Sequence, residues 1–399
     1  MLTRRYFLRS SAIAVAGFGI APAWLARAAA QENKKKIVIS LFQRGAADGL
    51  NIVVPFFEPR YYELRPTLAL PSPGKANGVL DLDGRFGLHP TLQTLKPLWD
   101  RGLLAIIHAA GSPSGNRSHF EAQDQMESGT LDRTTEDGWL NRVLESPTAT
   151  TSPVRAVAVG AKMPRTLRGN GGGIAIGDLQ QFQTRNPDVA SVLQMMYSAT
   201  PDTQLATQGK STFDALKMIE SINKTPYTPA NGAQYVGEFG NSLRQIARLI
   251  KADVGLEAGF ADIGGWDHHS NEATQLGPLL QQFGTSLEAF VRDLGDRMED
   301  IVIVTMSEFG RTAKEDGNGG TDHGHGNVMF VMGGPVRGGK IYGKWPGLEP
   351  EQLFEKRDLQ VTTDYRAVLG EVVRDHLGRP PEKVFPGYMP GERLGLLKG

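Results

Sequence analysis

Short runs of apolar, often β-branched residues recur along the chain, and segments with helical periodicity lie between them. The runs cover residues 35–42, 103–111, 154–160, 299–310 and 327–336. Apolar runs of this length are typical of strands that are buried on both faces of a sheet. The pattern therefore predicts five strands, of which the run that begins at Glu299 is the clearest.

Four segments between or after these runs carry apolar residues at helical spacing, at residues 191–199, 242–252, 278–298 and 362–378. In the last of them, Thr362 or Thr363 can cap the helix and Gly378 can end it. Strands that alternate with helices indicate a doubly wound α/β fold, with helices on both faces of a mostly parallel sheet. Residues 180–234 contain few acids or histidines, and we expect them to form a helical cap over the functional site.

The first thirty residues have the order of an export signal. Arg4 and Arg5 precede a moderately apolar stretch over residues 11–25, and small residues at positions 28–30 form a cleavage site. The apolar stretch is too short for a transmembrane helix. The arginine pair indicates the twin-arginine (Tat) route, and an ordinary Sec signal is the alternative. We expect a signal peptide at residues 1–30, the Tat translocase as partner during export, and a periplasmic or secreted protein.

Residues 31–399 show no repeat, low-complexity tract or convincing linker, which predicts a single α/β domain. The chain has 43 basic and 43 acidic residues and no basic cluster, so we do not expect it to bind nucleic acid. No later segment has the roughly twenty apolar residues of a membrane span. Cysteine is absent, which excludes thiolate chemistry and leaves oxygen and imidazole nitrogen as metal ligands.

Acidic residues and histidines follow several of the predicted strands. In an open parallel sheet, the carboxyl ends of the strands share one edge, where function gathers. Aspartate, glutamate and histidine are the ligands that two divalent cations would need. The sequence therefore predicts a metal site at this edge, with candidate ligands Asp48, Asp267, His269, Glu308, His323 and His325.

Several motifs together resemble one family. They are the export signal, RGAADGLN from Arg44, RSHFEAQDQMESG from Arg117, GGWDHH from Gly264, SEFGRT from Ser307 and GTDHGHGNVMFVMGG from Gly320. Over essentially the whole mature chain they are similar to the domain-of-unknown-function 1501 family, whose exported members resemble the alkaline phosphatase and sulfatase superfamily. The resemblance implies a metal centre, usually of two divalent cations, where a serine, threonine or formylglycine attacks a phosphate or sulfate ester.

The resemblance also implies roles for individual ligands. Asp48 occupies the position of the superfamily's aspartate after the first strand, and Asp267 and His269 match the aspartate and histidine of one metal site. Glu308 follows the strand that ends in an Asp-His pair in phosphatases. Here that pair is Glu308–Phe309, so one imidazole ligand of the second site is missing. The late histidine of the motif would be His323 or His325.

The resemblance places the nucleophile at Ser118, at the start of a helix whose amides can hold an oxyanion. Arg311 could clamp the same oxyanion. A formylglycine sulfatase is disfavoured, because there is no cysteine and the nearest serine string has Pro113 directly after Ser112. A metal-activated water is the alternative nucleophile.

Several of these roles have a structural alternative. Asp48 could simply bend or cap its loop through its own side chain. Ser118 could be a helix N-cap, with His119 as part of the polar surface. Glu308 and Arg311 could form a plain ion pair.

The favoured function is an exported metal-dependent hydrolase of phosphate-type esters, with sulfate esters second, acting on a small-molecule or polymer substrate. The cation would be zinc, manganese or, with more oxygen ligands, calcium. Two alternatives stay open, because a fold alone does not define a reaction. One is a non-catalytic binding or assembly protein that keeps the fold. The other is a metal-dependent enzyme of another reaction type, such as a mutase.

Overall fold

A mixed sheet forms the centre of the computed structural model, which describes residues 35–132, 134–144, 151–183 and 187–398. The predicted signal peptide, residues 1–30, lies outside the described residues. The sheet has nine strands within the described part of the chain. They are β1 Ile37–Gln43, β2 Leu104–Gly111, β3 Ala156–Val159, β4 Ile174–Ile176, β5 Ala258–Ile263, β6 Ile301–Met306, β7 Asn327–Gly333, β8 Lys340–Tyr342 and β9 Thr363–Asp364. A smaller sheet is made of Val53–Val54, Gly87–Leu88 and Leu80–Asp81.

The strand order is β8-β2-β7-β6-β1-β5-β3-β4, and β9 pairs with the end of β2. Strand β1 runs parallel to both neighbours, with Val38 opposite Ala258 of β5 and Val302 of β6. Strand β7 is antiparallel to β2 and to β6. The sheet is therefore mostly parallel, which confirms the predicted fold class, and all five predicted strands are present.

Helices cover both faces of this sheet, as predicted. The longer ones are α1 His119–Ser128, α2 Pro187–Ala199, α3 Thr203–Asn223, α4 Gly237–Lys251, α5 Glu272–Leu294 and α6 Tyr365–Glu371. Shorter α-helices span Gly49–Ile52, Pro59–Leu64, Lys96–Asp100, Trp139–Val143 and Pro381–Val384, 3-10 turns span Pro90–Leu92, Arg165–Leu167, Gly295–Asp300 and Pro350–Gln352, and a π-helical turn spans Val372–His376. Among the described residues, no helix has both the length and the apolar character of a membrane span.

The alternation of side chains along β1 explains the two-sided packing. Ile39 faces a core that includes Ile246 of α4 and Phe283 of α5. Val38 faces the opposite core, which includes Val368 of α6. Because successive strand residues point to opposite faces, an unbroken apolar strand requires helices on both sides.

The predicted cap segment contains two helices, α2 and α3, which pack against each other. Ala215 and Ile219 of α3 are fully buried in the same core as Val157 of β3 and Ile176 of β4. The helical character of this segment is thus confirmed, and α3 is anchored in that core. That it covers the functional site stays a prediction.

The start of the last predicted helix needs a correction. Thr363 does not cap it, because this residue pairs with Ala110 in the short strand β9. The cap is Asp364, whose side chain accepts a hydrogen bond from the Arg366 amide. Gly378 does end the helical segment, in the left-handed conformation that favours glycine (φ +68°).

His108 of β2 is a buried histidine that is held in its neutral form. Its Nε2 lies 2.8 Å from the Val53 carbonyl oxygen, and its Nδ1 accepts a hydrogen bond from the Ala109 amide at 2.9 Å. Burial lowers the pKa of His108 to about 4. Between a pH of about 6.5 and about 4 the unfolded chain therefore binds more protons than the folded one, and stability falls as the pH is lowered through this window.

We expect the His108 contribution to reach about 3 kcal/mol at the acid end of that window. Urea unfolding at neutral pH and near pH 4.5 of wild type and His108→Gln measures it, because glutamine does not titrate there. The variant should lose less stability than wild type on acidification. The variant should still lose some stability as the pH falls, since burial also lowers the pKa of His89 to about 4. Equal losses in both proteins would contradict the assignment.

Candidate metal centre

Three histidines and one aspartate meet at the carboxyl edge of the sheet. His119 begins α1 after β2, Asp267 and His269 follow β5, and His323 precedes β7. Because β7 runs antiparallel, its beginning lies at the same edge as the ends of the parallel strands. The topology therefore gathers side chains that are up to 204 residues apart in sequence.

We call these four side chains the His3Asp cluster (His119, Asp267, His269 and His323). Short distances join His323 and Asp267 to each other and to each of the other two histidines. His323 Nε2 lies 3.0 Å from His119 Nε2 and 3.1 Å from His269 Nε2. The Asp267 carboxylate oxygens lie 3.4 Å from Nε2 of His119, 3.0 Å from that of His269 and 3.2 Å from that of His323. In a tetrahedral zinc site, donors sit roughly 3.3 Å apart. The distances within the triad His119, Asp267 and His323 fit the ligands of one ion, and His269 forms a second triad with Asp322 and His323.

The outer nitrogens of two of these rings are already fixed. His119 Nδ1 lies 2.8 Å from Glu308 Oε1, and His323 Nδ1 lies 3.0 Å from the Arg117 carbonyl oxygen. Both partners accept hydrogen bonds, so each Nδ1 carries a proton and each Nε2 directs a lone pair into the cluster. Two lone pairs 3.0 Å apart repel each other, so the centre needs positive charge. Either a proton on one Nε2 or a cation supplies it.

The pKa values of His119 and His323 are shifted in opposite directions. The hydrogen bond to Glu308 raises the pKa of His119, so in the absence of a cation this ring is the one that takes the proton. Burial lowers the pKa of His323, which favours the neutral imidazole that binds metals. A divalent cation would replace the proton on His119 rather than add to it.

Glu308 is buried directly behind His119. Its Oε1 also accepts hydrogen bonds from the Gly45 amide at 2.9 Å and from Gln123 Nε2 at 2.8 Å. Burial alone would raise the pKa of Glu308, but the hydrogen bonds from His119 and Gln123 outweigh it and the pKa is lowered. The structure thus places Glu308 as an ionised partner that orients a cluster histidine, where the sequence predicted a direct ligand.

Gly45 is needed at this point of the β1 loop. It has a positive φ of +116°, and a Cβ on it would lie 2.8 Å from the Asp267 backbone nitrogen. The absence of a side chain lets the loop after β1 approach the loop after β5. The same close approach delivers the Gly45 amide to Glu308.

Arg311 is fully buried behind the aspartate of the cluster. Its Nη1 lies 2.7 Å from Asp267 Oδ1, and its Nε donates to Thr321 Oγ1 at 3.1 Å. Burial alone would raise the pKa of Asp267, but Arg311 outweighs it and the pKa is lowered. Arg311 therefore keeps Asp267 ionised and oriented, a placement that differs from the predicted oxyanion clamp.

Two other predicted ligands lie elsewhere. Asp48 forms a buried two-pronged ion pair with Arg65, whose Nη2 is 3.0 Å from Asp48 Oδ1. His325 is buried with its Nε2 3.0 Å from the Ser112 carbonyl oxygen, and its ring is tilted against that of Phe354 with the ring centroids 4.1 Å apart. The structure therefore brings Asp267, His269 and His323 together and assigns contacts outside the cluster to Asp48 and His325.

Ser118 occupies the N-cap position of α1, between Arg117 and His119. Its side chain is exposed and makes no capping hydrogen bond. Both neighbours take part in the centre, one through its carbonyl oxygen and one through its ring. Ser118 is thus next in sequence to two residues of the centre and lies at a helix start, which keeps it a candidate nucleophile.

His119 is the cluster residue that the sequence analysis missed, since it read as polar surface. Its role could have been predicted from its position directly after Ser118, at the start of the first helix that follows the buried strand β2. The substitution Glu308–Phe309 also gains an explanation. The Phe309 ring lies 5.1 Å from that of His119 and 5.0 Å from that of His323, so it forms an apolar wall against two cluster rings.

One side of the cluster faces solvent. The side chains of Asp267 and His269 are 43% and 47% exposed, whereas those of Glu308 and Arg311 are fully buried. Asp322 lies on the open side, with Oδ1 3.8 Å from His269 Nδ1. A small molecule can therefore reach the cluster without passing through the core.

Comparisons with solved structures find distant likenesses. The alkaline phosphatase of the Antarctic bacterium TAB5 is 13% identical over 76% of this chain and 93% of its own, with a TM-score of 0.33. The phosphonate monoester hydrolase of Silicibacter pomeroyi is 10% identical over 90% of this chain and 78% of its own, with a TM-score of 0.37. The protein in the structure of Ps i-CgsB in complex with k-i-k-neocarrahexaose is 10% identical over 89% of this chain and 75% of its own, with a TM-score of 0.40.

A comparison with curated protein sequences finds no match. The model of the family described as "Protein of unknown function (DUF1501)" matches residues 106–383. This stretch includes the whole His3Asp cluster together with Glu308 and Arg311, whereas Asp48 precedes it. The chain therefore belongs to the DUF1501 family.

Proposed function

We propose that this protein is an exported metal-dependent hydrolase of phosphate-type esters. The observation that carries the proposal is the convergence of three imidazole Nε2 atoms and the Asp267 carboxylate at a solvent-facing point of the sheet edge. Nitrogen-rich sets of four donors suit zinc, whereas calcium takes six or more oxygens. We therefore propose zinc as the cation.

The proposed centre consists of four ligands and of two buried residues that orient them. His119, His269, His323 and Asp267 would hold the cation, and Glu308 and Arg311 fix the orientation of two of these ligands. A bound zinc ion supplies Lewis acidity, which polarises an ester oxygen and lowers the pKa of a nearby water or hydroxyl. Amides in the first turn of α1 favour an anionic group at the same place. Together these features support a phosphate-type ester as substrate.

The test is a panel of phosphate monoesters, phosphodiesters and sulfate esters, assayed with zinc-loaded and chelator-treated protein. We expect hydrolysis of a phosphate-type ester that falls at least about 100-fold on zinc removal, and returns on zinc addition, because the cation supplies several kcal/mol of transition-state stabilisation. The variant Ser118→Ala, in the same assay, identifies the nucleophile. Turnover is abolished if the Ser118 hydroxyl is the nucleophile, and it is retained if a water molecule is the nucleophile. Zinc-loaded protein that hydrolyses none of the esters would overturn the proposal.

A binding or assembly role that retains the cation is the second candidate. Its support is the donor count, because four protein donors that close a tetrahedron are typical of structural zinc sites, whereas catalytic sites keep a position open. The panel separates the two functions, since a structural site binds zinc without turnover. Exposure of Asp267 and His269 favours the catalytic reading.

We also propose export by the Tat route and a periplasmic or secreted location. The support is the sequence of the first thirty residues, with Arg4 and Arg5 before an apolar stretch. A protein that folds before it crosses the membrane can acquire its cation in the cytoplasm. The proposed cation site is consistent with that order of events.

A further inference from the structure

Helix α2 exposes a continuous row of large apolar side chains. Val192, Leu193, Met195 and Met196 are 51%, 43%, 63% and 64% exposed, and Val189 is 53% exposed. Single exposed apolar residues are common on protein surfaces and need no explanation, but contiguous patches mark interaction sites. Five such residues within eight positions of one helix form a patch.

The row lies on one face because of its spacing. Val189, Val192 and Met196 are separated by three and then four residues, so they line up along one side of an α-helix. The inner face of the same helix is already occupied. Tyr197 packs edge-on against Phe213 of α3 at 6.3 Å, and a Cβ on Gly209 would lie 2.5 Å from the Tyr197 ring. Helix α2 therefore uses its inner face for α3 and leaves the apolar face outward.

The elements that anchor this hairpin contribute no residue to the metal centre. The hairpin of α2 and α3 is anchored through Ala215 and Ile219 of α3, in the core beside β3, β4 and α4. None of these three elements contributes a residue to the His3Asp cluster. The chemistry of the cluster therefore does not by itself account for the patch.

We propose that the outward apolar face of α2, formed by Val189, Val192, Leu193, Met195 and Met196, binds the same face of a second copy of this chain. Spacings of three and four residues form the seam along which two helices pack, and a second α2 has the matching spacing. A two-fold dimer makes such a surface self-complementary.

Charge selects a second copy over other occupants. Asp188 is the sole charged residue of α2 and lies at one end of it, so two copies bring no like charges together along the seam. Helices that lie on membranes carry lysine and arginine on the polar face, and α2 has neither.

The size of the patch sets the expected strength. The exposed parts of these five side chains amount to on the order of 500 Å² per copy. Two copies would bury about 1,000 Å² in total, at the lower end of specific interfaces. We therefore expect a reversible dimer with a Kd in roughly the micromolar range.

Sedimentation velocity of the mature chain over about 1 to 100 μM tests the dimer. Wild type should shift from monomer to dimer over this range. The double variant Val192→Glu/Met196→Glu should stay monomeric throughout, because two carboxylates per copy would face each other across the seam. Met389→Glu is the matched control, since Met389 is 89% exposed outside the hairpin, and it should behave like wild type. A wild type that is monomeric throughout, or a double variant that still dimerises, overturns the proposal.

Cross-linking gives a second readout that does not depend on a charged substitution. The chain has no cysteine, so Val192→Cys provides a single thiol at the seam and Met389→Cys a single thiol elsewhere. A short bis-maleimide at micromolar protein should link Val192→Cys into dimers and leave Met389→Cys monomeric. Equal yields of cross-linked dimer from the two variants overturn the proposal. The proposal is also overturned if monomeric wild type floats with phosphatidylcholine vesicles and Val192→Glu/Met196→Glu does not, because the α2 face would then bind lipid.

Discussion

Replacing His323 with alanine should remove zinc from the protein and lower ester hydrolysis by at least about 1000-fold, the equivalent of several kcal/mol of transition-state stabilisation. His323 Nε2 lies within 3.2 Å of a donor atom of each other cluster residue, His119, Asp267 and His269. Without it, two imidazoles and one carboxylate of the cluster remain. The side chain is partly exposed, so its loss should not unfold the sheet.

His325→Ala is the matched control for this experiment. It removes an imidazole two residues away in the same loop, whose contacts are the Ser112 carbonyl and the Phe354 ring. We expect this variant to lose about 1–3 kcal/mol of unfolding free energy and to keep its zinc. Elemental analysis and titration calorimetry of both variants measure the difference. Zinc retained in His323→Ala, or lost from folded His325→Ala, would contradict the placement of the cluster.

The second large effect is on stability and arises at Asp48. Its carboxylate faces the guanidinium of Arg65, which is fully buried. Burial alone would raise the pKa of Asp48, but Arg65 outweighs it, so the pair is ionised. Asp48→Asn leaves a buried cation without its partner, which should lower the unfolding free energy by about 3–5 kcal/mol. Zinc stoichiometry should be unchanged, because Asp48 contacts Arg65 rather than the cluster.

Glu272 provides a way to sharpen this test. It is fully buried, and burial together with the nearby Asp48 raises its pKa well above the usual value, so it is neutral in the wild type. When Asp48 is removed, Glu272 can ionise and partly replace it beside Arg65. We therefore expect Asp48→Asn/Glu272→Gln to be less stable than Asp48→Asn in urea unfolding. Asp322→Asn, at an exposed carboxylate, should change stability by less than about 1 kcal/mol.

Loss of zinc from a folded Asp48→Asn protein of normal stability would show instead that Asp48 is a ligand. This outcome would restore the role that the motif resemblance implies for it. The two results are distinct, because one changes the unfolding midpoint and the other changes metal content. No single measurement is needed to carry both conclusions.

Five of the nine described strands could be predicted from their apolar, β-branched runs, and β5 is the longest of the four that could not. Its sequence, AGFADI from Ala258, is short and rich in small residues. Gly259 is required there by packing, since a Cβ on it would lie 2.6 Å from Ile39 Cδ1. Because β5 needs a small residue where the Ile39 side chain packs against it, its sequence lacks the apolar, β-branched pattern by which strands are identified. The antiparallel direction of β7 was equally unreadable, because an apolar run has no direction.

The candidate site was partly predictable for a related reason. Residues that follow strands at one edge must lie near each other, which groups Asp267, His269 and His323. Which of His323 and His325 faces the cluster depends on how the loop runs, and residues two apart in it make contacts on different partners. His119 depends on the orientation of α1, which tertiary packing fixes. The Arg65 partner of Asp48 lies 17 residues away without any pattern that connects them.

The central claim is that the His3Asp cluster binds one divalent cation. The most direct measurement is elemental analysis of wild-type protein purified at neutral pH without chelators, followed by X-ray absorption at the edge of the metal found. We predict one zinc ion per chain, coordinated by three imidazole nitrogens and one carboxylate oxygen at about 2.0–2.1 Å. Protein without a stoichiometric divalent cation, or a coordination sphere without imidazole, would contradict the account.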